Sequence, residues 1–393
     1  MKHSKAHSLI GRIDMLLMLN AFKAVKRNRG AAGVDKVSVQ MFAANLMDNL
    51  HALMRELKDG SFQPLPLRRV FIPKNREQTE FRPLGIPVVK DRVAQEVLRR
   101  LLDPVFRPSF HPASFGFIQG RNAHMAINHA IDLHRQGFKA VVDADIKGFF
   151  DNLPHGIIMD AVRNRVADGK VLTLLERFLR CGVLEQGRLL ATTKGTPQGG
   201  VISPLLANIV LDQLDWHLDH LGLRFVRYAD DFVILCKSRS KAEEALTCAS
   251  AALDRLGLAL SPEKTKITTY GKGYSFLGFH ISARSKRMRP KSLEKFKDNV
   301  RALTVRSHNF EPDMIASLNA LIRGVGLYFA TSFATGRDRF RQLDSWIRMR
   351  MRAQKFKRKR RNDNRKIRVR TFTERYGLLT LEELFIASHV SAH

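Results

Sequence analysis

The stretch Arg227-Tyr228-Ala229-Asp230-Asp231-Phe232-Val233-Ile234-Leu235 decides how this sequence is read. Aromatic and β-branched residues flank the two adjacent carboxylates on both sides, so the spacing predicts two strands joined at the acids. Aspartate favours turns through its own backbone hydrogen bonds, and two solvated, idle aspartates are the simplest account of the pair. The alternative needs another acid, distant in the chain, returned by the fold to the same place. Ala140-Val141-Val142-Asp143-Ala144-Asp145 offers one: an apolar strand whose acids are two residues apart, hence on one face of the pleat. If Asp145 and the Asp230–Asp231 pair lie on neighbouring strands, their oxygens suit a pair of Mg²⁺ ions, hard cations that require convergent carboxylates.

The whole chain narrows the partners. Its 393 residues, 44% hydrophobic and 26% charged, are enough for two or three globular domains. A formal charge of +30 favours a polyanion, because each phosphate contact releases condensed counterions. Nucleic acid is the first candidate and an anionic membrane surface the second. Membrane insertion needs roughly twenty consecutive apolar residues, and the run Met15-Leu16-Leu17-Met18-Leu19 soon meets Lys23, Lys26 and Arg27. No leader with a small-residue cleavage site is read there, so a cytoplasmic protein with no membrane partner is expected. Cys181, Cys236 and Cys248 lack CxxC spacing, which argues against a disulfide framework or a cysteine-rich zinc module.

Along the chain, helical spacing over 8–28 gives way to the glycine-bearing loop 29–38 and then to a helix expected over 39–57. Pro64, Pro66, Pro73, Pro83 and Pro87 confine the next span to short β-prone pieces. Helices are expected over 90–102, 123–135 and 155–179. A further helix should have Ser203 as N-cap and Pro204 as its first residue. After the opening hairpin come a helix over 242–256 and strands in Leu258-Ala259-Leu260-Ser261, 265–270 and 274–281. Strands and helices mix without βαβ repeats, which predicts an α+β fold. Beyond Ser282 acids thin out and 355–361 (KFKRKRR) is nearly continuous positive charge, the mark of a separate helical domain with a basic face.

Several ordered motifs together resemble one family. The tetrad YADD at 228–231, DADIKGFFDNLPH at 143–155, GTPQGGVISPLLANI at 195–209 and SFLGFHI at 275–281 look like a reverse transcriptase of the bacterial group II intron type. RGAAGVDKVS at 29–38, FRPLGIP at 81–87 and LSPEKTKI at 260–267 extend the likeness in the same order. The resemblance implies a right-hand polymerase. Residues 1–60 would be a helical N-terminal extension, and 61–281 the fingers and palm, a mixed antiparallel sheet with helices. Residues 282–370 would be a basic α-helical thumb resembling maturase domain X, with a tail over 371–393. It implies RNA-directed DNA synthesis from an RNA template, a DNA or RNA primer and dNTPs, with a structured intron or noncoding RNA as a further partner. Oligomeric state is not encoded in any motif.

The resemblance also assigns residues. Asp145 and Asp230 would hold two Mg²⁺ ions with help from Asp231 and the Ile146 carbonyl, whereas Asp143 would be a structural ion pair. Phe150 would form a wall beneath the incoming sugar that leaves no room for a 2′-hydroxyl, although a core phenylalanine looks the same. Lys74 and Arg82 would bind the triphosphate, although one more surface cation looks the same in sequence. Gln198, Gly199 and Gly200 would lie against the nascent pair, where small residues permit close backbone approach. Arg121, Asn122 and Tyr228 would touch template or primer, with Asn122 equally suited to capping the next helix and a buried strand tyrosine identical in sequence to Tyr228. Lys264 would be a general acid toward pyrophosphate, although a solvated lysine fits the sequence equally well. Two other classes compete: a maturase-like RNA-binding protein with a vestigial site, and an RNA-templated RNA polymerase, which Phe150 disfavours. The DNA-binding and endonuclease segments of intron-encoded members are not read in this sequence. A host-adopted role in repair or phage defence is therefore a further reading.

Overall fold

The computed structural model describes residues 5–73, 79–196, 199–307, 309–360 and 362–390. Two compact units divide the chain: Met1–Phe138 with Val142–Ile267, and Lys139–Val141 with Thr268–His393.

In the first unit Asp14 starts α1 (Met15–Arg27) by accepting a hydrogen bond from Leu17 N at 2.7 Å. The single helix expected over 39–57 is two, α2 (Val39–Ala44) and α3 (Leu46–Asp59). Asn45 leaves the helical region (φ −117°, ψ 49°), and Asn49 Nδ2 donates to the Phe42 carbonyl freed by the break. Strands β1 (Leu67–Pro73) and β2 (Phe81–Ile86) pair antiparallel ahead of α4 (Val89–Phe106), and α5 (Ala123–Arg135) forms where its spacing places it. Then come β3 (Ala140–Asp145) and the short α6 (Phe149–Asn152). The helix expected over 155–179 is also split, into α7 (His155–Arg163) and α8 (Gly169–Arg180). Asp168 makes the break: its Oδ1 caps α8 and its Oδ2 accepts from Ile10 N at 2.9 Å.

The hairpin β4 (Val183–Glu185) and β5 (Arg188–Leu190) precedes α9 (Ser203–His220). Here the expected cap is corrected by one residue. Ile202 is the N-cap, and the buried Ser203 is already helical. Strands β6 (Arg224–Tyr228) and β7 (Asp231–Cys236) form the predicted hairpin, followed by α10 (Arg239–Arg255) with Ser238 as its cap. The strand expected at 258–261 is reduced to a bridge between Leu260 and Ile146.

Strand β8 (Lys266–Thr269) leads to β9 (Tyr274–Phe276), β10 (Phe279–Ile281) and β11 (Lys286–Met288). The helices α11 (Pro290–Leu303), α12 (Pro312–Phe329), α13 (Arg337–Lys355), α14 (Asp363–Lys366) and α15 (Leu381–Val390) complete the second unit. They enclose their own core of Leu293, Phe296, Val300, Leu318, Ile322 and Ile347.

The sheets run in the orders β2-β1-β4-β5, β6-β7-β3-β8 and β11-β10-β9, so the α+β expectation holds. Within the first of these, β1 pairs parallel with β4. Helices α4 and α9 are buried on nearly all faces, unlike surface helices with one apolar stripe. They therefore carry polar side chains, Gln95, Asn208 and Asp215 among them, into the interior. Among the described residues no helix is long and apolar enough to cross a membrane.

Candidate active site

The opening stretch folds as a two-residue hairpin. Tyr228 faces Asp231 across β6 and β7, leaving Ala229 and Asp230 as the turn. Strand twist favours positive φ at the first turn position, and Ala229 adopts φ +59°. A non-glycine residue there carries strain of about 1–3 kcal/mol and persists only if its surroundings hold it. They do so from two sides. Residues 113–116 run along β6, with Arg227 N donating to Ala113 O at 2.9 Å and Phe115 N to Arg227 O at 2.8 Å. Gly116 then lies flat against the turn: a Cβ built on it would be 2.3 Å from Ala229 N and 2.9 Å from the Tyr228 carbonyl carbon.

Beneath the turn sits a buried polar network. The Arg227 side chain is 1% exposed and that of its partner Asp215 is 0% exposed. Arg227 Nε and Nη2 donate to Asp215 Oδ1 and Oδ2 at 2.7 and 2.5 Å. Its Nη1 donates to Asn208 Oδ1 at 3.0 Å and to the Ala229 carbonyl at 2.9 Å. Asn208 Nδ2 in turn donates to the Gly116 carbonyl at 2.8 Å.

Strand β3 lies beside β7 in the sheet, with Asp145 as its last residue. Adjacent strands are about 4.8 Å apart, so the two acidic segments belong to neighbouring ribbons. The electrostatics agree. Burial pushes the Asp230 carboxyl above its ordinary value and the Asp145 charge adds to the shift, while Arg82 and Lys264 oppose it. Lys264 Nζ donates to Asp145 Oδ2 at 2.8 Å, and that bond holds the ammonium above the usual lysine range. Lys147 N donates to Ala259 O and Ser261 N to Asp145 O, flanking the Ile146–Leu260 bridge. Ile146 therefore occupies the position without ladder bonds to that segment, and its carbonyl faces away from Leu260. Asp143 pairs with Lys266 Nζ at 3.5 Å.

Other expected residues are distributed more widely. Phe150, in α6, is half-buried and edge-on to Phe149 at 5.1 Å, and its carbonyl accepts from Thr196 N at 2.7 Å. Gly199 has φ +108° and approaches β2 closely enough that a Cβ would meet Gly85 O at 3.0 Å. Gly200 is buried, and the next residue, Val201, donates its N–H to Gln95 Oε1 on α4 at 2.8 Å. Arg82 is exposed on β2. Tyr228 is half-buried. Lys74 and Gln198 lie outside the described residues. Arg121 Nη1 donates to the carbonyls of His111 and Ser114 at 2.6 and 2.5 Å, and Asn122 caps α5 through Met125 N. Both side chains thus serve their own backbone. The structure brings Asp145, Asp230, Lys264 and Arg82 into one electrostatic neighbourhood.

Among the described residues no three His, Cys, Asp or Glu side chains gather as a metal-holding group. Magnesium does not require one: it is typically bound by one or two carboxylates, waters and substrate phosphates rather than an all-protein cage. Asp145 and Asp230 fit that need, being hard oxygen donors whose mutual repulsion a cation would relieve. Sequence reasoning missed Gly116, Asn208, Asp215 and Arg227. A signal existed: Arg227 interrupts an apolar strand, and Asn208 and Asp215, two helical turns apart, interrupt the apolar helix LLANIVLDQLD at 205–215.

The chain is also similar to known proteins. Residues 72–281 match the reverse transcriptase (RNA-dependent DNA polymerase) family, and 293–372 match the group II intron maturase-specific domain. It is 34% identical over 288 residues to Protein YkfC of Escherichia coli, covering 63% of this chain and 75% of that one. It is 35% identical over 209 residues to the group II intron-encoded protein LtrA of Lactococcus lactis, covering 53% of this chain but 34% of the relative. A putative COX1/OXI3 intron 2 protein of Saccharomyces cerevisiae is 26% identical over 370 residues, covering 78% and 43%. With more than half its length matched, and its catalytic-type hairpin and neighbouring Asp145 in one sheet, the chain belongs to the reverse transcriptases, RNA-directed DNA polymerases, of the group II intron type.

Proposed function

We propose that this protein extends a DNA or RNA primer on an RNA template by joining dNTPs to the primer 3′-hydroxyl. The adjacency of β3 and β7, which makes the charge of Asp145 felt at Asp230, carries the proposal. The sheet β6-β7-β3-β8 serves as the palm and β2-β1-β4-β5, with α4, as the fingers. Residues 1–60 form the extension and 282–370 the thumb, while the segment expected as a tail, 371–393, gives Phe372, Leu381 and Phe385 to the thumb's own core.

Asp145, Asp230 and the Ile146 carbonyl are the groups that would hold two Mg²⁺ ions, Asp231 assisting. When bound, the ions supply the charge that acidifies the primer hydroxyl and neutralises the departing pyrophosphate. The chain's own residues do the rest. Lys74 and Arg82 clamp the triphosphate, Arg82 through its fork of donors. Gln198, Gly199 and Gly200 lie along the nascent pair, with Gln95 anchoring the loop through Val201. Phe150 closes the space a 2′-hydroxyl needs. Lys264, whose Nζ bonds Asp145, delivers a proton toward pyrophosphate in this reading. Tyr228 packs beside the primer strand. Arg121 and Asn122 shape the backbone that template and primer pass.

The test is primer extension by the purified protein with an RNA template, dNTPs and Mg²⁺. Asp230→Ala should abolish synthesis while RNA binding persists; continued synthesis by that variant removes the metal assignment.

The maturase-specific domain supports a second activity, binding of a structured intron or noncoding RNA by the basic helical unit. Sequencing RNA that co-purifies with the protein tests it: a recurring structured RNA is expected, and random cellular RNA alone refutes it.

A further inference from the structure

We propose that Arg227 is a positioning residue for Asp230, an inference that rests on the reading of Asp230 as a metal-holding carboxylate. Burying an ion pair completely is costly, and an apolar pair of similar volume would often fill the same space as well. Simple core packing therefore leaves the chemistry of this pair unaccounted for. The arrangement around the guanidinium accounts for it.

Asp215 engages Nε and Nη2, which locks the plane of the fork. The locked fork aims Nη1 at the Ala229 carbonyl. That carbonyl belongs to the peptide unit joining Ala229 to Asp230, and a planar peptide turns as one body. Holding its oxygen thus fixes the direction in which the chain enters Asp230. The same Nη1 binds Asn208, whose amide holds Gly116 by its carbonyl, and Gly116 abuts the nitrogen of Ala229. The peptide units on both sides of the left-handed residue are therefore clamped by one continuous network. A network of this kind, one bond removed from a metal-holding group, typically alters metal affinity or activity by about 10- to 100-fold when broken.

The deciding variant replaces both ends of the pair together, Arg227→Met with Asp215→Leu. This leaves no lone buried charge, so folding and primer–template binding should persist, but it releases the Ala229 carbonyl. Two readouts follow on the full chain bound to primer and template: the Mg²⁺ concentration giving half-maximal extension, and Mn²⁺ affinity measured from the free-ion electron paramagnetic resonance signal. Both midpoints should rise by about 10- to 100-fold. A packing role would change melting or the active fraction and leave both midpoints where they were, which overturns the proposal. If the double variant does not fold, Asn208→Leu keeps the ion pair and cuts the link to Gly116. A shift in its two midpoints supports the proposal, and unmoved midpoints overturn it. Asp230→Ala in the same assays separates the underlying reading. Should it keep both synthesis and Mn²⁺ affinity, the metal assignment fails whatever Arg227 does.

Discussion

Gly116→Ala puts one methyl group where the structure has no room for it. The new Cβ would stand 2.3 Å from Ala229 N, where ordinary contact begins near 3.4 Å, so the two segments must separate by about 1 Å. A rotamer change cannot relieve the clash, because the three nearest atoms, Ala229 N, the Tyr228 carbonyl carbon and Ala229 Cα, all belong to backbone. The glycine segment is itself pinned by the Phe115–Arg227, Arg227–Ala113 and Asn208–Gly116 hydrogen bonds. Overpacking of this kind costs about 1–3 kcal/mol, which a chain of this size tolerates. Because the glycine segment and the turn are tied into one network, their separation displaces Asp230 as well. A displacement of about 1 Å at a reacting centre can lower a rate by roughly 100-fold. Single-turnover primer extension at saturating dNTP and Mg²⁺, run beside a thermal melt, measures both effects. Gly120→Ala is the control, since its φ of +84° brings backbone strain but no atom lies within 4 Å of the added methyl. It should lose stability and keep its rate. Extension by Gly116→Ala at the parental rate would refute the claim that this backbone contact sets the turn.

Phe150→Val should raise incorporation of ribonucleotides relative to deoxyribonucleotides by at least about tenfold, read by competition on one template, since a smaller side chain admits the hydroxyl. An unchanged preference removes Phe150 from sugar selection. For Asp91, on α4, burial pushes the carboxyl up to about 7 despite the hydrogen bond from Leu65 N. The folded value lies above the unfolded one of 3.8, so its contribution to stability is full below about pH 4 and is lost as pH rises through about 7. Asp91→Asn, which cannot ionise, should flatten the fall of the melting temperature over that interval. A slope identical to the parent's would show that Asp91 ionises equally well in both states.

What was legible in the sequence was what local chemistry alone dictates. The β6–β7 hairpin follows from strand-forming residues around two turn-forming acids, and the β3 strand from its apolar run. Asn122 as a cap is equally local. What stayed hidden depends on distant partners. Asp168 splits the helix expected over 155–179 partly because Ile10, 158 positions away, donates to it. Arg121 has the composition of a nucleic-acid contact, but the fold presents it with the carbonyls of His111 and Ser114 first. Ser203 has the chemistry of a cap, yet Ile202 takes that place and Ser203 is buried as the first helical residue. The β4–β5 hairpin offered a weak signal, Gln186-Gly187 with positive φ at both residues, but three-residue strands are too short to show a period. The partner of Arg227 stayed hidden because nothing beside it in sequence names Asp215 as its counterion.

The position of β3 between β7 and β8 also sets a timetable for the nascent chain. Both of its neighbours leave the ribosome later, by on the order of ten seconds at typical synthesis rates. Through that interval an apolar ribbon has two bare edges, the condition under which strands recruit copies of themselves. Asp143 and Asp145 place charge on that ribbon, so the carboxylate assigned to chemistry and its ion-paired neighbour would also act as guards against self-association during the chain's birth.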